Sequence, residues 1–411
     1  MNKKKYRVLF LLIFLNLSKI TFSQSTVKMN LNEVINTAIQ NNQTLKSERL
    51  NVQKEDAINL RSFNIPKPEI FVEYEGVDGS LSNAESRKIG FLQKFEFPTN
   101  YFLRSDVQNS QILVAKEELN VSINKLREEI KLCYNQLLLL SELLWSSEEN
   151  LKIYESFLFT AEKKFEAGET SNLEVLGAKV GMIKFENGIK NIYSEINSVQ
   201  SEIKYLMNVD YYIMPSEELI YEELSLSKAA IINAAVINNP DIKVIQNQKE
   251  KFSNKLSLSK GELLPDISFK YYKQKIGSQV DLWGIEVGLG VPLWFWWDQS
   301  GNIKESDYEL QIASSEEISM KRSLENQIEV TFEEYENNIR QVKFFRNEAI
   351  KETDEILRQS KISYEEGEIG YVEYLQSLNL AYDTRTQYLN AIYNYNQSII
   401  KLEKLTAGDL K

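Results

Sequence analysis

The chain carries the pentapeptide FEAGE at residues 165–169 and a close copy of it, YEEGE, 199 positions later at residues 364–368. Residues 34–42 and 231–239 form a second matching pair, at an offset of 197 positions. A nearly constant offset over such distances indicates a tandem duplication, because solenoid repeats recur at much shorter periods. We therefore expect two structurally equivalent halves.

The duplication divides the mature chain into residues 24–213 and 214–411. Each half is predicted to contain a short helix, a β-hairpin and a pair of very long helices, in that order. The hairpins are expected at about residues 67–98 and 265–293, and the helix pairs at about residues 101–207 and 301–406.

The long helices are predicted from the spacing of apolar residues. Between Leu119 and Phe165 these residues alternate in steps of four and three, and between Val175 and Leu206 they do the same. This heptad spacing is typical of coiled coils. No proline interrupts residues 99–214. A single helix over residues 101–165 would be roughly 100 Å long, at about 1.5 Å per residue.

The hairpins are predicted from a different periodicity. Trp283, Ile285, Val287 and Leu289 are bulky and apolar, and the residues between them are glycine or glutamate. Residues 89–97 of the first half alternate in a similar way. Because successive side chains of a strand point to opposite faces, this pattern predicts strands with one apolar face.

Residues 1–23 have the pattern of a secretory signal peptide, with basic residues before an apolar run and small residues after it. The apolar run, residues 8–17, is too short for a spanning helix, which needs about 20 residues. Cleavage after Ser23 would change the formal net charge from −11 to −16, because residues 1–23 contain five basic residues and no acidic one. An acidic mature protein argues against a nucleic-acid partner.

The composition excludes several kinds of chemistry. The chain has no His and one Cys, which excludes a His-based catalytic triad, Cys or His metal clusters and an internal disulfide. It contains neither a phosphate-binding G-x-x-x-x-G-K segment nor a G-x-S-x-G elbow. We predict that the protein is not an enzyme and has no cofactor and no metal site. Cys133 lies in the heptad pattern and is predicted to be a buried, unreactive side chain.

Aromatic residues cluster in and after the second strand of the hairpins. They are Tyr101, Phe102, Trp283, Trp294, Trp296 and Trp297. Such a cluster is typical either of a buried core or of a girdle at a membrane interface. The girdle is favoured because polar residues 298–301 directly follow the tryptophans. Four strands cannot close a barrel, and strand edges in a bilayer have to be paired, so several chains should share one barrel.

The duplicated halves, the proline-bounded strand pairs, the F/Y-x-x-G turns and the C-terminal segment 393–406 together resemble outer-membrane efflux proteins of the TolC type. The resemblance covers essentially the whole mature chain. It implies an α+β membrane protein, a homotrimer in which four strands per chain form an outer-membrane β-barrel. Long coiled-coil helices would continue from the strands as an α-helical barrel in the periplasm.

The resemblance implies the function of an exit duct in a tripartite efflux or secretion system, in the outer membrane of a Gram-negative bacterium. Substrates would reach the duct from an inner-membrane transporter, such as one of the RND type, and a periplasmic adaptor (membrane fusion) protein. The strands would contact outer-membrane lipid. The resemblance does not identify the transported substrate, because relatives export metal ions, drugs or proteins.

Gly168 and Gly367 each end one long helix before the next begins, where glycine readily adopts the left-handed conformation of a helix C-cap. The resemblance implies in addition that these turns form the periplasmic tip contacted by the adaptor. The side chains that would flank this contact are Phe165, Glu169, Tyr364 and Glu368.

The resemblance also implies a narrow periplasmic aperture lined by Glu174, Glu373 and Gln376, where a ring of three carboxylates would attract cations. Some relatives carry a second acid at the position of Gln376. A local alternative exists for Glu174, because Ser171 and Glu174 have the spacing of a capping box. Gly370 stands at the corresponding position before Glu373, so capping should explain Glu373 less well.

The alternative function is that of a trimeric coiled-coil protein of the cell envelope without a pore, either a structural fibre or an adaptor. An adaptor would have one helical hairpin with flanking β-domains, and a fibre would lack strand hairpins inside a duplication. The sequence has neither pattern.

Overall fold

A computed structural model of the chain describes residues 26–294 and 297–410. The predicted signal peptide and Trp296 lie outside the described residues. The elements of the first half are β1 (Thr26–Met29), α1 (Leu31–Asn41), α2 (Gln43–Asn59), β2 (Glu69–Glu75), β3 (Ser86–Phe95), α3 (Pro98–Glu166) and α4 (Asn172–Met207). A short 3₁₀ turn, Leu81–Asn83, lies between β2 and β3.

The second half repeats this order. Its first strand, β4 (Tyr212–Pro215), begins two residues before the predicted boundary between the halves. The other elements are α5 (Lys228–Asn238), α6 (Pro240–Gly261), β5 (Asp266–Ile276), β6 (Gln279–Gly290), α7 (Asp298–Phe344), α8 (Ile350–Glu365) and α9 (Tyr371–Thr406). The long helix predicted for residues 101–165 is α3, a single helix of 69 residues. Its counterpart is divided into α7 and α8 by a π-helical turn, Phe345–Ala349.

Each half has two helices before its hairpin, where the sequence predicted one. The break falls at Asn42 and Asn239, which belong to the repeated segments. Pro240 follows Asn239 and cannot donate a backbone hydrogen bond, which ends α5. The side chains of both asparagines also form hydrogen bonds to the ends of long helices. The Nδ2 of Asn42 donates to the carbonyl of Leu206 at 3.0 Å, and the Nδ2 of Asn239 donates to the carbonyl of Leu405 at 3.0 Å.

The described chain falls into two compact units, each with residues from both halves of the duplication. Residues up to 42, 126–223 and 335–400 form one unit, which contains the turns between the long helices and is called the turn unit here. Residues 43–125, 224–334 and from 401 onwards form the other, which contains the hairpins and is called the sheet unit.

In the turn unit, the core consists of heptad positions of the long helices. Ile130, Leu137 and Ile203 are almost fully buried. Cys133 is buried among them, and this burial, with the nearby Glu202 carboxylate, raises the pKa of its thiol to about 12. The prediction of a buried cysteine is confirmed. Because the thiolate is the nucleophilic form, a raised pKa makes the thiol a poor nucleophile at neutral pH.

In the sheet unit, the two predicted hairpins form a single antiparallel sheet in the order β2-β3-β5-β6. The β3 and β5 ladder joins the halves of the duplication and runs from Ser86 opposite Ile276 to Phe95 opposite Ile267. The turn unit has its own small sheet, in which β1 pairs in parallel with β4.

Among the described residues, no helix combines the length and the apolar composition that a membrane-crossing helix requires.

Helices α3 and α4 approach each other closely at Gly181. The ring of Tyr154 on α3 lies against this glycine, and a Cβ atom added to Gly181 would overlap with the ring. Tyr154 also contacts Phe185, with ring centroids 5.1 Å apart. A Cβ atom added to Gly188, on the same helix, would meet no atom within 4 Å.

We expect Gly181→Ala to destabilise the protein by about 1–3 kcal/mol, because the Tyr154 ring has to move out of a packed position. The matched control, Gly188→Ala, should stabilise it by up to about 1 kcal/mol through helix propensity alone. Thermal unfolding of the detergent-purified protein, followed by tryptophan fluorescence, should show midpoint shifts of opposite sign. A midpoint for Gly181→Ala at or above that of the unmodified protein would contradict the packing described here.

Candidate functional sites: the sheet faces and the helical turns

One face of the sheet is apolar and exposed. The register places Ile70 opposite Phe91, Phe91 opposite Tyr271, and Tyr271 opposite Ile285, so these side chains share a face. Ile70 is 82% exposed and Val287, on the same face, is 68% exposed. The predicted apolar face of the strands is confirmed. Contiguous exposed apolar surface of this kind marks a membrane or protein interaction surface.

The opposite face carries paired charges. Lys88 contacts Glu75 at 2.6 Å and Glu73 at 3.4 Å, between neighbouring strands. Lys94 contacts Glu69 at 3.2 Å. The Nζ of Lys270 lies 3.9 Å from the carboxylate of Glu286 and 4.7 Å from the ring centroid of Phe71. A polar face of this composition suits contact with water.

Three of the predicted girdle residues bracket the apolar face. Trp283 is 67% exposed and lies near the hairpin turn of β6, whereas Trp294 and Trp297 follow the other end of that strand. The rings of Trp294 and Trp297 stack with centroids 6.2 Å apart. β5 and β6 have 11 and 12 residues. A strand tilted by about 45° needs about 9–11 residues to cross a bilayer, so these two strands are long enough.

The two aromatic residues at the start of α3 differ from each other. Phe102 is exposed, as a girdle residue would be, but Tyr101 is only 8% exposed. Its hydroxyl accepts the backbone N–H of Glu96 at 3.1 Å, and its ring stacks on Phe63. The girdle prediction for Tyr101 is therefore wrong, because this side chain is buried against Phe63 and the residues that follow β3.

The turns between the long helices are nearly identical in backbone geometry. Gly168 and Gly367 have φ angles of 74° and 80°, in the left-handed region. Glu169 donates its backbone N–H to the carbonyl of Lys164, and Glu368 donates its N–H to the carbonyl of Ser363, both at 2.8 Å. These bonds, together with those from each glycine to the residue three positions earlier, form Schellman motifs. The predicted C-caps are confirmed.

The side chains beside the two turns differ in exposure. Phe165 is 47% exposed and Glu169 is exposed. Glu368 is also exposed and accepts a hydrogen bond from the hydroxyl of Ser363 at 3.0 Å. Tyr364, the counterpart of Phe165, is half-buried. At corresponding positions of the duplication, the aromatic ring of Phe165 is therefore more exposed than that of Tyr364.

Tyr364 belongs to an aromatic cluster that the sequence reasoning missed. Its ring stacks on Tyr374 with centroids 5.1 Å apart, and Phe157 on α3 contacts both rings and that of Tyr371. The Nζ of Lys164 lies 5.5 Å from the Tyr364 ring centroid. The aromatic residues flanking Gly367 were a signal for this cluster, but the heptad pattern does not show which helices meet around them.

Tyr371 is the most buried member of the cluster, with 4% exposure. Its hydroxyl is buried and has no hydrogen-bond partner among the described residues. Burial, with smaller effects from Tyr154, Tyr364 and Glu174, raises the pKa of Tyr371, so the hydroxyl stays protonated at neutral pH. The hydroxyl of Tyr154, by contrast, donates to the Oδ1 of Asn379 at 3.2 Å.

At the helices that follow the two turns, α4 and α9, the capping differs from the prediction for both Glu174 and Glu373. Ser171, at the N-cap of α4, makes no side-chain capping hydrogen bond, so the capping box predicted with Glu174 is wrong. The carboxylate of Glu373 instead accepts the N–H of Gly370 at 2.7 Å, and the expectation that capping explains Glu373 less well is wrong too. Glu174 is half-buried on the side of Tyr364 and Tyr371, whose pKa values its charge helps to raise.

Glu373 and Gln376 are both exposed on the first turns of α9. Their exposure is compatible with the predicted aperture, which stays a prediction. Within the part of the chain that the structure describes, no group of three or more Cys, Asp or Glu residues is arranged to hold a metal ion.

The chain is similar to known proteins in part of its sequence and in its fold. Residues 231–408 match the family model described as outer membrane efflux protein. The match confirms, for the second half, the resemblance noted in the sequence. No curated protein matches the chain in sequence.

Solved structures with a similar fold cover more of the chain than the family model does. A structure of CusC is 16% identical, with a TM-score of 0.75, and the match covers 93% of this chain and 94% of that one. The outer membrane protein VceC of Vibrio cholerae is 14% identical, with a TM-score of 0.73 and coverage of 93% and 97%. The CmeC outer membrane channel of Campylobacter jejuni is 14% identical, with a TM-score of 0.74 and coverage of 95% and 90%. The predicted fold class, long coiled-coil helices with a four-stranded β part, is confirmed.

We expect Tyr371→Phe to leave the stability unchanged or raise it by about 1 kcal/mol, because the variant removes a buried hydroxyl that has no partner. The matched change Tyr154→Phe should lower stability by about 0.5–1.5 kcal/mol, because it removes a hydrogen bond. Thermal unfolding midpoints of the two purified variants provide the comparison. A loss of stability in Tyr371→Phe equal to that in Tyr154→Phe would contradict the account of the Tyr371 hydroxyl.

Proposed function

We propose that the mature protein is the outer-membrane exit duct of a tripartite efflux or secretion system in a Gram-negative bacterium. The observation that carries this proposal is the four-stranded sheet with an exposed apolar face on one side and paired charges on the other. Strands of a membrane barrel meet lipid on one face and an aqueous channel on the other. The fold shared with outer membrane efflux channels supports the same function.

The duct is a homotrimer in this proposal. Within the described residues, β2 and β6 are the outer strands of the sheet, and each pairs on one side only. Unpaired backbone groups are very costly in hydrocarbon, so these edges have to be paired by other copies. Because β2 and β6 run in opposite directions, β6 of one copy can pair antiparallel with β2 of the next. Three copies of the sheet close a 12-stranded barrel.

The helical turns provide the contact with the other components of the system. In the proposal, the exposed side chains of Phe165, Glu169 and Glu368 contact a periplasmic adaptor, and Gly168 and Gly367 keep the turns tight. Tyr364 holds the second turn in place through the aromatic cluster. An inner-membrane transporter, such as one of the RND type, supplies the energy, and the duct conducts passively.

The aperture of the duct is proposed at the start of α9. Glu373 and Gln376 are exposed there, and three copies of Glu373 would form a ring of carboxylates. Glu174 contributes less to the lining of this aperture, because it is half-buried beside the tyrosines of the aromatic cluster.

Reconstitution of the detergent-purified mature protein into a planar bilayer tests the function directly. We expect small, steady, cation-selective conductance steps, because the barrel spans the membrane and the aperture restricts flow. Protein that gives no steps and stays in solution without detergent would overturn the duct and favour a fibre without a pore.

We expect Glu373→Gln to weaken block of the conductance by divalent cations about tenfold, because a ring of three charges is removed. Glutamine keeps a side-chain oxygen for the N–H of Gly370, so the variant separates the charge from the cap. Glu355→Gln is the charge-matched control, since Arg358 and Gln359 already lower the pKa of Glu355 to about 2 and pair its carboxylate. Equal block in Glu373→Gln and the unmodified protein would remove Glu373 from the aperture.

A further inference from the structure

Three basic residues lie at one end of the apolar sheet face. Arg87 on β3 is directly opposite Lys275 on β5, and Lys273, two residues away, is opposite Ile89. Directly opposite residues of an antiparallel pair point to the same side, and side chains two apart on one strand share a face. All three cations are therefore on the face that carries Ile89 and Tyr271, at its hairpin-loop end.

These cations have no acidic partner within the described part of the chain. All three are exposed, and none forms a salt bridge with a described side chain. The guanidinium of Arg87 lies 5.5 Å from the ring centroid of Tyr74, and Trp283 is opposite Lys273. Lysines on the other face of the same strands behave differently, because Lys88, Lys94 and Lys270 each lie within 4 Å of a glutamate.

The distribution of charge between the two faces explains why partners are missing. The described carboxylates of these strands alternate onto the polar face, namely Glu69, Glu73, Glu75, Asp266 and Glu286. Like charges directly opposite each other, as in Arg87 and Lys275, destabilise a strand pair. An external anion that contacts both cations would remove this repulsion.

We propose that Arg87, Lys273 and Lys275 bind the phosphate groups of an anionic glycolipid in the outer leaflet of the membrane. This inference rests on the proposed function, in which the apolar face meets lipid and the hairpin loops, at the strand ends opposite those that lead into α3 and α7, lie on the outer side of the membrane. The three cations are then at the level of the lipid headgroups, beside the interfacial rings of Tyr74 and Trp283. Guanidinium and ammonium groups bind phosphate through charge-assisted hydrogen bonds, and the acyl chains lie along the apolar face.

The test measures lipid binding to the detergent-purified protein by native mass spectrometry. Three probes are compared: a bisphosphorylated lipid A-type glycolipid, the same glycolipid without its phosphates, and inorganic phosphate. The unmodified protein should retain the bisphosphorylated glycolipid and bind neither the dephosphorylated form nor inorganic phosphate. Equal retention of the two glycolipids would overturn the proposal, and retention of inorganic phosphate would reassign the site to a free anion.

The variant Arg87→Gln/Lys273→Gln/Lys275→Gln should bind the bisphosphorylated glycolipid at least about tenfold more weakly, because each basic residue near a membrane surface adds to anionic-lipid affinity. Lys88→Gln/Lys94→Gln/Lys270→Gln removes the same number of charges from the opposite face of the same strands and should bind normally. Unchanged affinity in the first variant overturns the proposal.

If either triple variant fails to assemble, the double variant Lys273→Gln/Lys275→Gln and the single variant Lys94→Gln replace them under the same criterion. Bilayer conductance of the unmodified protein separates the two proposals. A protein that conducts but whose glycolipid affinity is insensitive to Arg87, Lys273 and Lys275 refutes the lipid site alone. A protein that neither inserts nor conducts refutes the duct, and the lipid site with it.

Discussion

The ladder between β3 and β5 is the constraint on which the sheet depends. It is the only pairing in the described sheet that joins the two halves of the chain, and it sets the register from Ser86 to Phe95. A slip of one residue would move every side chain of a strand to the opposite face. The apolar face, the paired charges and the common face of Arg87, Lys273 and Lys275 all follow from this register.

Charge is separated between the faces in a way that hydrophobic patterning alone does not require. On the polar face, lysines and glutamates neutralise one another across neighbouring strands, as in the contact between Lys88 and Glu75. On the apolar face, the charged side chains that the structure describes within the strands are Arg87, Lys273 and Lys275, all basic and all near the loop end. Such a distribution suits a wall with water on one side and lipid with anionic headgroups on the other.

The two halves of the duplication have the same backbone geometry at their turns but differ in how the side chains around those turns pack. Both turns between long helices are Schellman motifs, because a glycine with positive φ at the right position is sufficient to form them. The surroundings of the turns have diverged. Tyr364 is packed in an aromatic cluster where its counterpart Phe165 is open, and Glu373 caps a helix where Glu174 does not. Among the described residues, a π-helical turn separates α7 from α8, whereas the corresponding helix of the first half, α3, is continuous.

The sequence by itself determined the features that depend on near neighbours. Heptad spacing was enough for α3, alternation was enough for the apolar face of β6, and Gly168 and Gly367 were enough for the turns. The tertiary structure decided which distant residues meet. Examples are the burial of Tyr101 and the placement of Arg87 opposite Lys275, 188 positions further along the chain. Periodicity describes one element at a time, whereas these contacts depend on the order of the strands and on which helices lie side by side.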